Sequence, residues 1–506
     1  MKRQIPKGGE KRQKRSQQGL FCPPGPVLAA DLDKALALAA GVFAVPGQRL
    51  GDLPFAVRDL SRLLTAERGS RGMSYWAAPR YVAAYLRYFL PWNLYRLACF
   101  LPGLDIPLHS GARLLDLGSG PLTMPLALWL ARPDIRSLEL EIVCADTSPK
   151  IMERGRDIFT ALAGKNSPWR IRLLRGTAEN TLRRQERGSI SLLTAGNILN
   201  ETAGASGKQD RDAARDAASF SRSLAACLAP DGRALLLEPG TRLGGGLIGL
   251  CRRAALELGL KPLAPCTQAG LCPLLPEKNG HSGQTQRSAY ARKGQGLSWC
   301  HFSLPLQKVP EALVALSAKA GLEKERLTCS FLLLARPGKE LAGNAARLTG
   351  QATALPDEAA EFAVLPDELA ELEAMFEEMQ QDDALPSRAG ARKSGPGPSA
   401  QGASAQAGAP ASKNAPAFAD APALKGPPAR TTMPDEQGPP FQARVLSNPI
   451  RLPDRAEPAR YVCGAMGLGL LLDAGDLPSG ALLAVRPAQG ARRDPKSGAL
   501  ILIRAL

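Results

Sequence analysis

The chain of 506 residues lacks several common sequence features, and each absence excludes a class of protein. No stretch is long and apolar enough for a membrane-spanning helix, and the N-terminus lacks the apolar run of a secretory signal. No CxxC pair occurs, and ten cysteines in so long a chain form no dense framework. This usage indicates a reducing compartment, so we predict a cytoplasmic protein without a membrane partner.

Acidic side chains are also fewer than basic side chains. There are 47 Asp and Glu residues against 64 Lys and Arg residues, which gives a formal net charge of +17. Such an excess favours a polyanionic partner such as RNA, although it carries no information about the fold. Part of the charge lies in residues 1–25, a basic and apolar-poor segment that we predict to be a disordered tail.

Composition and pattern divide the rest of the chain into four regions. Residues 26–108 are predicted to be helical, and 109–338 alternate between apolar strands and helices. Residues 339–440 contain an acidic helix near 356–384 and then a disordered linker, whereas 441–506 should form a small β-rich module. Aromatic residues at helical spacing around Tyr88 favour a core stripe over a base-stacking surface.

The alternating region predicts a mostly parallel sheet with helices on both faces. Its short apolar segments, such as RLLDLG, LEIVCAD, SISLLTAG and GRALLLEPG, are typical of strands that are buried on both sides. We therefore predict a Rossmann-like α/β fold.

Three strand ends carry glycine and acidic residues in the order that class I methyltransferases use to bind S-adenosylmethionine (SAM), so we predict a class I methyltransferase domain that depends on SAM. Asp116, Gly118 and Gly120 lie in LDLGSGP, where small residues let the backbone approach the methionyl part of the ligand. Asp146 closes the second strand, where a carboxylate binds the ribose hydroxyls, and Glu179 follows the third strand near the expected adenine. Pro121 and Leu122 replace the usual third glycine.

In class I methyltransferases, catalytic residues often follow the fourth strand. TAGNILNE follows the fourth strand and contains Asn197, Asn200 and Glu201, but not the Asn/Asp-Pro-Pro-aromatic motif of amino-directed methyltransferases. These polar residues could face a substrate, or they could cap the next helix. We include Asn197 among the predicted cofactor-binding residues. No catalytic residue is assigned.

Three cysteines lie in loop-like, polar and Pro-rich sequence, where a thiol has little core to fill. They are Cys266 and Cys272 in PCTQAGLCP and Cys300 in SWCHF, and a fourth thiol could come from Cys329 or Cys463. Four thiolates suit an iron–sulfur cluster or zinc, and a cluster accepts scattered ligands more readily than zinc does. Unligated thiols are the remaining interpretation.

The chain resembles the methyltransferase-like assembly factors of the small ribosomal subunit, which occur in mitochondria and bacteria. The resemblance lies in SRLLTAERGSRGMSYWAAPRYVAAYLRYFLPWNLYRL, LLDLGSGPLTMPLALW, NILNE, LLLEPGTRLG, APCTQAGLCP and WCHF, over roughly residues 50–338. A weaker match covers 441–475.

This resemblance implies a protein that binds small-subunit rRNA during assembly and carries a [4Fe-4S] cluster. It places the metal ligands on Cys266, Cys272, Cys300 and Cys463, the last of which matches the family better than Cys329 does. We expect a monomer that contacts rRNA, with ribosomal proteins as additional contacts. Two alternatives stay open: an active rRNA methyltransferase, and a non-catalytic assembly module with a zinc site.

Overall fold

The structure is a computed structural model, and it describes residues 19–41 without 22, 50–65, 75–199, 210–275, 299–337, and 440–505 without 447 and 454. The predicted acidic helix and linker lie outside these residues. Within the described ranges, no helix has the length and apolar character needed to span a bilayer.

The N-terminal region is helical, as its apolar periodicity predicts. Two helices precede the sheet, α1 (Pro26–Gly41) and α2 (Leu53–Thr65). The aromatic segment then forms α3 (Pro79–Ala84), one π-helical turn (Tyr85–Phe89) and α4 (Leu90–Phe100). The predicted tail of residues 1–25 is too long, because Leu20 and Phe21 are buried, and the Phe21 ring packs on Phe100.

The aromatic stripe is part of the core, so this interpretation of the tyrosine spacing is confirmed. Tyr88 and Tyr95 are almost fully buried, and Trp92 is 4% exposed. The Tyr95 hydroxyl donates to the carbonyl of Gln307 at 2.6 Å, and the Tyr88 hydroxyl donates to a backbone carbonyl at 3.1 Å. These rings therefore tie the helical region to the sheet domain, and they are not available to stack on bases.

The central region forms one eight-stranded sheet. Its strands are β1 (Arg113–Leu117), β2 (Leu140–Asp146), β3 (Trp169–Arg175), β4 (Ile190–Gly196), β5 (Leu228–Pro239), β6 (Lys261–Ala264), β7 (Phe302–Pro305) and β8 (Arg326–Ala335). The order is β3-β2-β1-β4-β5-β8-β6, and β7 pairs with β8. Strands β1 to β5 are parallel, whereas β8 is antiparallel to β5.

Helices cover both faces of this sheet, as buried parallel strands require. They are α5 (Thr123–Ala131), α6 (Pro149–Ala163), α7 (Ala178–Arg183), α8 (Asp210–Cys227), α9 (Arg242–Glu257) and α10 (Glu311–Ala320). The reversal of strand order beside β1 and the antiparallel strand next to β5 define the class I methyltransferase fold. The predicted fold class is confirmed.

The C-terminal region is a closed five-stranded barrel, which agrees with the predicted β-rich character. Its strands are β9 (Phe441–Val445), β10 (Arg460–Gly464), β11 (Gly467–Leu471), β12 (Leu482–Pro487) and β13 (Leu500–Arg504). The order β10-β11-β13-β12-β9, with β11 parallel to β13, is that of an OB-fold. Tyr461, Leu468 and Leu470 pack into the core of the methyltransferase-like domain, so the outer face of β10 and β11 is covered.

Candidate cofactor cleft and thiol cluster

Asp116 lies at the end of β1, in the middle of the parallel strands. Its carboxylate accepts hydrogen bonds from Ser119 Oγ at 2.5 Å and from Thr194 Oγ1 at 2.6 Å. Burial raises the pKa of Asp116 to about 6, and the two hydroxyl donors only partly oppose this effect. The buried carboxylate therefore fixes the turn that follows β1.

The glycines of this turn adopt backbone conformations that other residues avoid. Gly118 has φ +63° and Gly120 has φ +51°. A Cβ on Gly118 would also lie 2.9 Å from the Ile198 side chain. Both glycines thus keep the turn tight and leave its outer surface free of side chains.

Asp146 ends β2 next to this turn, as the sequence predicts. One carboxylate oxygen accepts the Gly120 N–H at 2.9 Å, and the other accepts the Ser148 N–H at 2.9 Å. Burial is the largest influence and raises the pKa of Asp146, although these backbone donors lower it. Each oxygen keeps lone-pair capacity for a further donor, such as a ribose hydroxyl.

The close packing that a third glycine usually provides comes instead from Gly155 on α6. A Cβ at Gly155 would overlap the backbone carbonyl of Pro121 and lie 2.8 Å from the Leu122 nitrogen. Leu122 itself has φ +57° and precedes α5. The contact between the turn and the neighbouring helix is thus kept, with the glycine on the opposite partner.

A cleft that is open to solvent lies between this turn and the helical region. It is lined by Tyr85, Asn93, Arg96, Leu97, Asp116, Gly118, Ser119, Thr123, Met124, Gly196, Asn197 and Leu237. Among the predicted ligand residues, Asp116, Gly118 and Asn197 line it directly.

Asn197 directly follows β4 and has φ +58°. Its side-chain Oδ1 is buried and has no hydrogen-bond partner within the described part of the chain. Glu179 differs, because it is exposed on the first turn of α7, where it pairs with Arg183, and it does not line the cleft. Asn200 and Glu201 lie outside the described residues.

Glu238, at the end of β5, is a buried acidic residue that the sequence analysis did not single out. It is fully buried, and its Oε1 accepts the Leu199 N–H at 2.9 Å. The carboxylate therefore holds the start of the segment after β4, close to Asn197. Its place in LLLEPG, at the carboxyl end of a buried strand, is the signal that could have identified it.

The loop cysteines come together in space, although they are far apart in sequence. Cys266 and Cys272 follow β6, Cys300 precedes β7, and Cys463 lies on β10 of the barrel; all four are free thiols. Burial has the largest effect on two of these thiols: it raises the pKa of Cys300 well above its ordinary range. The pKa of Cys463 is likewise raised, to about 12, and the neighbouring Cys266 and Cys272 contribute to both increases.

The barrel and the cysteine loop also touch directly. Thr267 Oγ1 donates to the Cys463 carbonyl at 3.4 Å. Nevertheless, no three His, Cys, Asp or Glu side chains of the described ranges are arranged as a metal site. The thiols are neighbours, but they do not have the spacing of a closed ligand sphere.

Two arginines surround the thiol cluster, which we define as Cys266, Cys272, Cys300 and Cys463. Arg252 donates from Nε to Cys266 Sγ at 3.1 Å and from Nη2 to the carbonyls of Gln268 and Gly270 at 3.0 and 2.8 Å. Arg444, on β9, donates to the Pro265 carbonyl at 2.6 Å. Burial lowers the pKa of Arg444 to about 10, against the opposing influence of Cys266 and Cys300.

Cys329, the alternative fourth ligand, is buried within β8. Burial raises its pKa to about 12, and its backbone pairs with Phe302 and Pro239 on the two flanking strands. Among the thiols that raise the pKa of Cys300, Cys329 has the smallest influence.

No family profile matches the chain, and no curated protein is significantly similar to it. Among solved structures, it is similar to a candidate sarcosine dimethylglycine methyltransferase from Galdieria sulphuraria, with 16% identity and a TM-score of 0.28 over 56% of this chain and 98% of the other.

Two further solved structures are similar over shorter stretches. A SAM-dependent methyltransferase from Aquifex aeolicus has 12% identity and a TM-score of 0.19 over 27% of this chain and 60% of the other. The Haemonchus contortus phosphoethanolamine N-methyltransferase 2, in complex with S-adenosylhomocysteine, has 11% identity and a TM-score of 0.24 over 46% and 50%. The fold assignment rests on the strand order described above.

Proposed function

We propose that the chain binds SAM in the cleft after β1. The observation that carries this proposal is the tight turn of Gly118 and Gly120. Two hydrogen bonds fix this turn, one from Ser119 to the Asp116 carboxylate and one from the Gly120 N–H to the Asp146 carboxylate. Asp146 would accept the ribose hydroxyls, and the side-chain-free surface of the turn would face the amino-acid part of the cofactor. SAM would supply an activated methyl group at this position.

The described residues favour a binding role over methyl transfer. The polar groups of the cleft include two asparagines, a buried Asp116 and Arg96, and no histidine lines it. Asp116 is already committed to Ser119 and Thr194, so it is poorly placed to accept a substrate proton. We therefore place the non-catalytic assembly module ahead of the active rRNA methyltransferase.

Binding of S-adenosylhomocysteine by calorimetry, followed by transfer of a radiolabelled methyl group to immature 30S particles, separates these two functions. Asp146→Ala should weaken ligand binding, whereas Glu141→Ala, on the exposed side of the same strand, should not. Binding without transfer supports the module. Transfer that depends on Asp146 supports the enzyme, and failure of the wild-type protein to bind contradicts both.

We further propose that the thiol cluster holds a [4Fe-4S] cluster, with zinc as the alternative. Burial and, after it, the neighbouring thiols raise the pKa of Cys272, Cys300 and Cys463, and a metal that replaces the thiol protons would make this buried arrangement more favourable. Arg252 and Arg444 would then balance the thiolate charge. The buried position of Cys329 supports Cys463 as the fourth ligand.

Iron, acid-labile sulfide and zinc contents of anaerobically prepared protein test this site. Cys463→Ala should lose most of the bound metal, and Cys329→Ala should keep it. The opposite result would make Cys329 the ligand, and a wild-type protein without iron or sulfide would remove the iron–sulfur assignment. A stoichiometric zinc content would instead establish the alternative.

Small-subunit rRNA is the proposed partner, since the chain has a net charge of +17. OB-fold barrels bind oligonucleotides through strands 2 and 3 and the adjoining loops. The outer face of β10 and β11 is covered here, but Arg486, Arg492 and Lys496 are exposed around the loop between β12 and β13. Ribosomal proteins as further contacts, a monomeric state and a cytoplasmic location remain predictions.

The salt dependence of binding to 30S particles tests the rRNA contact. The affinity should fall steeply with salt, and replacing Arg492 and Lys496 by Gln should reduce the slope of log K against log salt by about 1 for each lost phosphate contact. Replacing the exposed Lys150 and Arg154 of α6 by Gln provides a control elsewhere on the surface. A wild-type affinity that does not depend on salt would contradict the proposal.

A further inference from the structure

Arg96 is a cation in the wall of the cofactor cleft. It lies on α4 and lines the cleft together with Asp116, Gly118 and Ser119. Within the part of the chain that the structure describes, its buried Nε has no hydrogen-bond partner, and no carboxylate forms an ion pair with it. A guanidinium stays protonated in proteins, so the positive charge is permanent.

The surroundings of Arg96 add a second cation. Lys324 Nζ lies 5.9 Å from the ring centre of Tyr88 and 5.8 Å from that of Trp92. Burial lowers the pKa of both Arg96 and Lys324, and the charge of Arg96 lowers that of Lys324 further. The weakly acidic groups of Cys329 and Tyr85 oppose the effect of burial on Arg96. Burying such a charge is unfavourable unless an anion compensates it.

The same cleft contains the Oδ1 of Asn197, an acceptor that no donor of the described residues reaches. An unpaired cationic donor and an unpaired acceptor in one cleft are complementary to an α-amino acid group, which carries a carboxylate and an ammonium. A phosphate would compensate Arg96, but it would leave Asn197 Oδ1 unpaired. The zwitterion therefore satisfies more of the unused hydrogen-bonding capacity of the cleft than a phosphate does.

We propose that Arg96 binds the carboxylate at the amino-acid end of the cofactor, while Asn197 Oδ1 accepts from its ammonium. This inference rests on the proposed SAM site, and it assigns the residues that would bind the amino-acid part of the cofactor. The planar guanidinium can bind a carboxylate through two parallel hydrogen bonds, which also orients the ligand along the cleft. Arg96 thereby connects the helical region to ligand binding by the sheet domain.

Binding of two ligands to the full chain tests the assignment. S-adenosylhomocysteine carries the amino-acid group, whereas 5′-methylthioadenosine lacks it. Arg96→Met should weaken S-adenosylhomocysteine binding by about 10- to 100-fold, the range of a hydrogen bond to a charged group, and leave methylthioadenosine binding unchanged. Arg96→Lys should restore part of the loss, and Arg80→Met, at an exposed arginine outside the cleft, should have no effect.

Equal weakening of both ligands, or of neither, would overturn the assignment. If Arg96→Met leaves S-adenosylhomocysteine binding intact but weakens binding of a single-stranded RNA oligonucleotide, the anion is a phosphate and the carboxylate assignment is wrong. If the wild-type protein binds neither adenosyl ligand, the proposed SAM site fails.

The melting temperature of the ligand-free protein provides a measurement that does not depend on the cofactor. Removing an uncompensated buried cation should raise it in Arg96→Met, because the cost of burying the charge disappears. A lower melting temperature would mean that Arg96 is needed for folding, and would overturn its role as an anion receptor.

Discussion

Gly155→Ala should destabilise the methyltransferase-like domain, although alanine is the better helix former. The substitution gains about 1 kcal/mol in helix propensity. The new Cβ would overlap the Pro121 carbonyl and come within 2.8 Å of the Leu122 nitrogen, and both are backbone atoms that cannot rotate away. Overpacking a tight contact costs about 1–3 kcal/mol and sometimes more, so we expect a net loss of about 2 kcal/mol.

Gly246→Ala is the matched control. Gly246 also lies inside a helix, α9, but a Cβ there would meet no atom within 4 Å. This variant should gain about 1 kcal/mol, so the two variants should differ by about 3 kcal/mol in the free energy of unfolding. Because the displaced turn also faces the cleft, Gly155→Ala should weaken S-adenosylhomocysteine binding as well.

Urea unfolding provides the assay, with tryptophan fluorescence as the signal. Trp129 and Trp169 pack against Phe159, which lies on the same helix as Gly155. The midpoints of both variants should shift in opposite directions at a constant slope. If Gly155→Ala stabilises the protein as much as Gly246→Ala does, the packing argument at the turn is refuted.

Three further predictions concern other buried groups. Because folding raises the pKa of Asp116 from 3.8 to about 6, its carboxylate increasingly opposes folding as the pH rises from 4 to 6. Asp116→Asn should therefore gain stability relative to wild type over this interval, by up to about 3 kcal/mol, in urea titrations at each pH. Arg252→Leu should increase hydrogen exchange in residues 266–272, whereas Arg253→Leu, on the exposed side of the helix, should not. Tyr95→Phe should lower the unfolding free energy by about 1–3 kcal/mol, because it leaves the Gln307 carbonyl and N–H without their partner; an unchanged melting temperature would contradict this.

Local pattern was sufficient for the fold class and for the first part of the cleft. Apolar segments that end in LDLG and CAD predict buried parallel strands, and carboxyl ends of adjacent parallel strands meet at one edge of the sheet. Asp116 and Asp146 lie beside the glycine turn for this reason. Glu179 was placed by the same rule, but its side chain pairs with Arg183 on the exposed face of α7, a local ion pair that strand order does not predict.

The structural roles of Arg96 and Gly155 could not be predicted from the sequence. Arg96 belongs to an aromatic stripe whose spacing predicts only a helix, and nothing in that spacing shows that its guanidinium reaches the edge of a sheet formed later in the chain. Gly155 is similar, because a glycine in a helix is ordinarily a defect, and its use appears only when the facing turn is known.

The sequence alone thus determined the parallel sheet, the glycine turn and the presence of cysteines unsuited to a core, because each of these follows from residues that are near neighbours in the chain. Tertiary structure decided which distant groups meet. Cys463 reaches Cys266 and Cys300 because the barrel docks through β10 and β11, and that docking depends on the shape and apolar character of two surfaces. Such complementarity is a property of the folded chain, since it arises from contacts that no local spacing encodes.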